Sequence, residues 1–192
     1  MDMQGSRALA ITQQQAWDAL NDPQVLRACI PGCDKFEPTG QNQYAVGVAL
    51  KIGPVAARFG GKVNLSEIQA PGSYTIGFDG QAGAAGFSKG NAKVTLAPQG
   101  TGCELAYTVR AQVGGKIAQL GQRLVDGAAK SMADDFFKRF DAEMQRLYPQ
   151  AYAEAAASRQ AAGSAAPVGA KIPIWAWIAG LALLAALVWW LR

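Results

Sequence analysis

A chain of 192 residues, half of them apolar, is long enough for one domain of ordinary size with a true core and a segment to spare. Its formal charge of +4, from 18 basic and 14 acidic side chains, is not concentrated: Lys138-Arg139 sits among Asp134, Asp135 and Asp141, a solvated helix face rather than a phosphate-binding stripe, so nucleic acid is not an expected partner. The absence of histidine excludes Ser-His and Cys-His nucleophile pairs, His-containing zinc sites and the commonest general base, and three cysteines do not make a disulfide framework.

Met3, Arg7, Leu9 and Ile11 share one side of an opening strand. Thr12 and Gln15 then form a capping box for a short helix with Ala16, Trp17 and Leu20 on its apolar side. Asp22-Pro23 starts a second short helix that buries Val25, Leu26 and Cys29, and Pro31 forces Ile30 out of helical geometry. Cys29 and Cys33 frame this Ile-Pro-Gly turn at a C-x3-C spacing, which is neither a thioredoxin-type motif nor half of a common zinc site. The expectation is a structural turn, with Cys33 opening the next strand and no metal site.

Period-two alternation follows. Tyr44, Val46, Val48, Leu50 and Ile52 form one strand, and Val55, Ala57, Phe59, Val63 and Leu65 the next, after Gly53-Pro54. Beyond Pro71-Gly72, further strands are predicted at Tyr74 to Phe78, at Val94 to Leu96 and at Cys103 to Val113. The glycine-rich segment Gly77 to Gly90 lacks the Gly-Lys-Ser/Thr of a phosphate loop and reads as a closely approached edge or pocket lip. From Gly115 to about Tyr148, Ile117, Leu120, Leu124, Val125, Ala128, Met132, Phe136 and Phe140 recur at helical spacing, which predicts one long amphipathic helix lying on the sheet.

Residues 149–171 turn to Ala, Ser and Gly and read as a tether, in part helical. Ile172 to Leu191 is a run of twenty residues without a charge, closed by Lys171 and Arg192, with Trp175, Trp177, Trp189 and Trp190 at its two ends. As a helix it would extend about 30 Å, the thickness of a bilayer's hydrocarbon core. The predicted organisation is therefore a domain over 1–148, a linker over 149–171 and a transmembrane helix over 172–191. No signal-peptide pattern precedes the first strand, so the expected location is the inner membrane by a single C-terminal anchor, with the domain in the cytoplasm.

A strand, two short helices, an antiparallel meander and a long C-terminal helix is an α+β order that resembles the helix-grip fold of the START-like, or polyketide cyclase, superfamily. In that fold a curved antiparallel sheet wraps the long helix. Within that class the stretches "WDALNDPQVLRACIPGC", "KIGPVAARFGGKV", "GAAGFSKGNAKVTL" and "AQVGGKIAQLGQRLVDGAAKSMADDFF" resemble the CoxG family of carbon monoxide dehydrogenase proteins, over about residues 2–145. The resemblance implies an accessory protein, not an enzyme. Its implied partner is a molybdenum-containing carbon monoxide dehydrogenase or related molybdenum hydroxylase, which it would recruit to the membrane. It supplies no catalytic residue and no covalently bound cofactor.

The fold implies a cavity for a lipophilic molecule, most plausibly a respiratory quinone linking the enzyme to the electron transport chain. Phe59, Phe78, Phe87, Tyr107, Leu124, Met132 and Phe136 are its candidate lining, and the Tyr107 hydroxyl or Ser131 could orient a head group. The same spacings also suit an ordinary core. Two other functions stay open on the sequence alone: a docking protein whose cavity is filled, and a cyclase-type enzyme using Glu104, Asp134 or Asp135.

Overall fold

The alternation becomes a single seven-stranded sheet in the computed structural model, which describes residues 1–164. Strands β1 (Asp2–Leu9), β2 (Cys33–Gly40), β3 (Gln43–Ile52), β4 (Val55–Gln69), β5 (Ser73–Gln81), β6 (Phe87–Gln99) and β7 (Gly102–Gly114) lie in the order β1-β7-β6-β5-β4-β3-β2, all antiparallel. Every pair except β1–β7 joins strands consecutive in sequence, which short turns make easy to form. Helices α1 (Gln13–Leu20) and α2 (Pro23–Cys29) carry the chain from the β1 edge to the β2 edge.

Both short helices start as the sequence predicts. The Gln15 amide donates to Thr12 Oγ1 at 3.3 Å and the Thr12 amide to Gln15 Oε1 at 2.9 Å, while the Gln24 amide donates to Asp22 Oδ1 at 2.7 Å. Pro31 ends α2 at Ile30, and Gly32, at φ 71°, turns the chain onto β3, where the Ala49 amide donates to its carbonyl at 2.9 Å. A Cβ on Gly32 would overlap the Ala49 carbonyl oxygen. The Cys29–Cys33 turn is thus a structural clasp between α2 and the sheet.

The long helix is shorter than its apolar spacing suggests. α3 spans Gln122–Leu147, and the residues before it form a loop with one 3-10 turn at Ala118–Leu120. Gly115 and Gly121 take φ values of 81° and 89°, which no continuous right-handed helix accommodates. Ile117 still reaches the interior, but from the loop. At the other end Pro149 begins α4 (Pro149–Ser164), whose Ala151 and Tyr152 pack against the core, so the compact unit runs Met1–Ala156 rather than stopping at residue 148. A second unit covers Ala157–Arg192. The stretch Ile172 to Leu191 lies outside the described residues, and among those described no helix is long and apolar enough to cross a membrane.

The core sits where α1, α2 and the C-terminal half of α3 meet the sheet. Phe140, Met144 and Ile11 are fully enclosed there with Leu9, Leu20, Cys29, Tyr74, Leu96 and Leu105. Truncating Phe140 to alanine should lower the unfolding free energy by about 3–5 kcal/mol in a denaturant titration, whereas Ser131→Ala, on the exposed side of the same helix, should leave the midpoint unchanged.

Candidate functional site: a divided apolar cavity

Along each strand every second residue faces α3, and the register aligns these residues in rows across the sheet. One row runs Met3, Val109, Ala92, Ile76 and Leu65 from β1 to β4. With Tyr74, Val94, Leu105 and Tyr107 it forms the wall of a cavity of about 300 Å³, closed by Leu20, Leu26, Phe36 and Tyr44 and by Ala133, Phe136 and Phe137 of α3. A second row, Val46, Gly61, Gly80, Ser88 and Val113, floors another cavity of about 240 Å³ under Ile117, Val125 and Met132. The hollow has a local cause. Gly61 and Gly80 put no side chain into it, and a Cβ on Gly61 would overlap the Asp79 carbonyl oxygen of the neighbouring strand.

An aromatic ladder connects core to cavity. The Tyr107 ring stacks on Phe137 with centroids 5.6 Å apart, Phe137 meets Phe136 edge-on at 5.2 Å, and Phe136 stacks on Phe140 at 5.7 Å. Tyr107 crosses Gly5 on β1, where a Cβ would lie 2.6 Å from its hydroxyl oxygen. The Arg7 guanidinium sits 5.6 Å from the Phe137 centroid and pairs with Asp134, which also accepts from Lys130 Nζ at 2.7 Å. The Lys130 hydrogen bond, with Arg7 adding to it, holds the Asp134 carboxyl below the usual carboxylate range. Asp134 is therefore an ionised surface group.

The first cavity carries its polarity on phenols. Burial pushes the Tyr74 hydroxyl well above the usual phenol range, with Tyr44 adding to the effect, so Tyr74 remains a neutral donor at any physiological pH. Tyr44, Tyr74 and Tyr107 all line this cavity, as does Asn21, whose Nδ2 donates to the Trp17 carbonyl at 2.8 Å.

The structure divides the seven residues expected to line one pocket. Tyr107 and Phe136 line the first cavity, and Phe59, Phe78 and Met132 the second. Phe87 and Leu124 line neither: Phe87 lies across Gly114 and is 38% exposed, and Leu124, in the first turn of α3 after the Gly121 break, is 53% exposed. Ser131 also faces solvent. Ile30, Phe36, Tyr44, Tyr74 and Phe137 join the lining without having been singled out. The sequence signal for the two tyrosines is the register that short hairpin turns impose, which places Tyr44 and Tyr74 on the same face as Val63 and Val94.

The thiols do not act together. All three are free, Cys29 and Cys103 in the core and Cys33 part-exposed with its Sγ 3.3 Å from the Lys35 carbonyl oxygen. Among the described residues no group of His, Cys, Asp or Glu could hold a metal ion.

An antiparallel sheet gripping one long helix around an apolar hollow defines the START-like class. A solved START superfamily protein from Mycobacterium smegmatis shares this fold at a TM-score of 0.60, with 12% identity over 76% of this chain and 98% of that one. Residues 5–145 match the model of the carbon monoxide dehydrogenase CoxG family, and the chain belongs to that family. A conserved protein from Geobacillus kaustophilus is similar at 33% identity, with a TM-score of 0.72 over 76% of this chain and 96% of its own. No match was found among curated proteins.

Burial raises the Cys29 and Cys103 thiols from 9.0 to about 11. Alkylation near pH 8 should label Cys33 first and reach the other two only on unfolding. Because unfolded thiols ionise first, their contribution to stability is full below pH 9.0 and is lost as pH rises toward about 11, which a denaturation series across that window would read out.

Proposed function

We propose that this protein is a membrane-anchored accessory of a molybdenum-containing carbon monoxide dehydrogenase and that its cavity carries a lipophilic ligand, a respiratory quinone, between bilayer and enzyme. The first cavity carries the reading: its walls are aliphatic and aromatic, and the polar tips among its lining residues are the phenols of Tyr44, Tyr74 and Tyr107 and the Asn21 amide. Such a site suits an apolar ring or chain bearing a few oxygen acceptors.

Two further features support it. Membership of the CoxG family points to that enzyme as partner, and the uncharged stretch Ile172 to Leu191 would hold the domain at the inner membrane, close to both quinone and enzyme. Glu104, Asp134 and Asp135, the carboxylates weighed for acid–base work, line neither cavity, which favours a carrier over an enzyme.

The full chain, purified in detergent, should bind a prenylquinone in an equilibrium titration and release copurified quinone to organic extraction followed by mass spectrometry. Ala133→Phe, which fills the first cavity from α3, should weaken binding about tenfold or more, equivalent to about 1.4 kcal/mol, with the thermal midpoint measured alongside. Absence of both copurified and titratable quinone in the unaltered chain would remove the carrier reading and leave a docking protein.

A further inference from the structure

Ile30 and Val63 are the residues common to the linings of both cavities. Val63 belongs to the row that separates them, flanked on β3 by Tyr44, which lines the first, and on β5 by Phe78, which lines the second. Ile30 comes from the opposite side, at the end of α2. Its backbone is fixed on both sides: its amide donates to the Leu26 carbonyl at 2.9 Å, and its carbonyl accepts from the Cys33 amide at 3.2 Å. Gly32 then clasps β3. The α3 side changes chamber at the same level, Met132 over the second and Ala133 over the first.

From this arrangement we propose that Ile30, set against Val63, is the neck of a single two-part ligand site and fixes which ligands fit it. The head, bearing oxygen acceptors, occupies the phenol-lined chamber. One apolar chain passes Ile30 into the second chamber, whose row of Val46, Gly61, Gly80, Ser88 and Val113 offers a trough without bulky side chains. Each chamber alone lies at or below the lower end of the range for small-molecule sites, and only the two joined reach its interior. The ligand class is therefore a single-chain amphiphile with a carbonyl-bearing head, and the Ile-Pro-Gly turn acts as its length gauge. This rests on the carrier reading above and adds the residue that makes it selective.

The test measures dissociation constants of the full chain for a benzoquinone without a chain and for a series with progressively longer prenyl chains. The unaltered protein should gain affinity with each chain extension that reaches past the neck. Ile30→Trp should remove that gain, weakening chain-bearing members about tenfold or more while leaving the chainless head within about twofold; Ile30→Ala and Val63→Ala should extend the gain to longer chains. Thermal midpoints establish that each variant is folded, and Val63→Ala, on the sheet side, reads the neck if Ile30→Trp does not fold. A length profile that Ile30→Ala and Val63→Ala leave unmoved, or one that shifts equally for chainless and chain-bearing members, overturns the neck while the carrier reading stands. Failure of every member to bind the unaltered chain overturns both.

Discussion

The hollow exists because α3 is held by one end. Phe140 and Met144, both fully enclosed, lock its C-terminal half into the cluster of Leu9, Ile11, Leu20 and Leu105, each large apolar side chain contributing about 1.5–3 kcal/mol by leaving water. The N-terminal half is carried out from that anchor over a floor with little to fill the gap. There Val125, Met132, Ala133 and Phe136 roof open volume. An empty apolar volume forfeits dispersion contacts, so the solid half of the domain must stabilise the hollow half. A bound apolar molecule would restore those contacts, which is the physical basis for assigning a ligand at all.

The division of the hollow follows from the same geometry. Cross-strand rows with small residues make chambers, and the row containing Tyr44, Val63 and Phe78 makes a boundary. Above that boundary the chain has placed Ile30 on a backbone tied to α2 and to β3. The Cys29–Cys33 segment, which at first sight suggests thiol chemistry, instead uses Cys29 as a small core residue and Pro31-Gly32 as the bracket that holds Ile30 in place.

Most of the architecture is legible from local chemistry. Alternation marks β3 and β4, the Thr12–Gln15 box and Asp22-Pro23 mark α1 and α2, and the spacing of Val125, Met132, Phe136 and Phe140 marks α3. What misleads is periodicity carried across a backbone break: Ile117 and Leu120 keep the helical spacing, but Gly115 and Gly121 take left-handed angles that stop the helix, and Leu124 consequently faces water. The site is less legible because its members meet through pairings between strands. Phe87 has the size of a pocket residue yet lies over Gly114, while Tyr44, Tyr74 and Ile30 converge from distant parts of the chain. Only the register tells which aromatic residues share a row.

The most direct measurement of the central claim is diffraction from crystals of the protein under xenon pressure, since dry apolar cavities take up xenon and solid cores do not. Xenon density in both chambers, one site beside Tyr107 and Phe136 and the other beside Phe59 and Met132, with Ile30 between them, is the expected result. An interior without xenon, with Phe59, Phe78 or Phe136 folded into the space between α3 and the sheet, would contradict it.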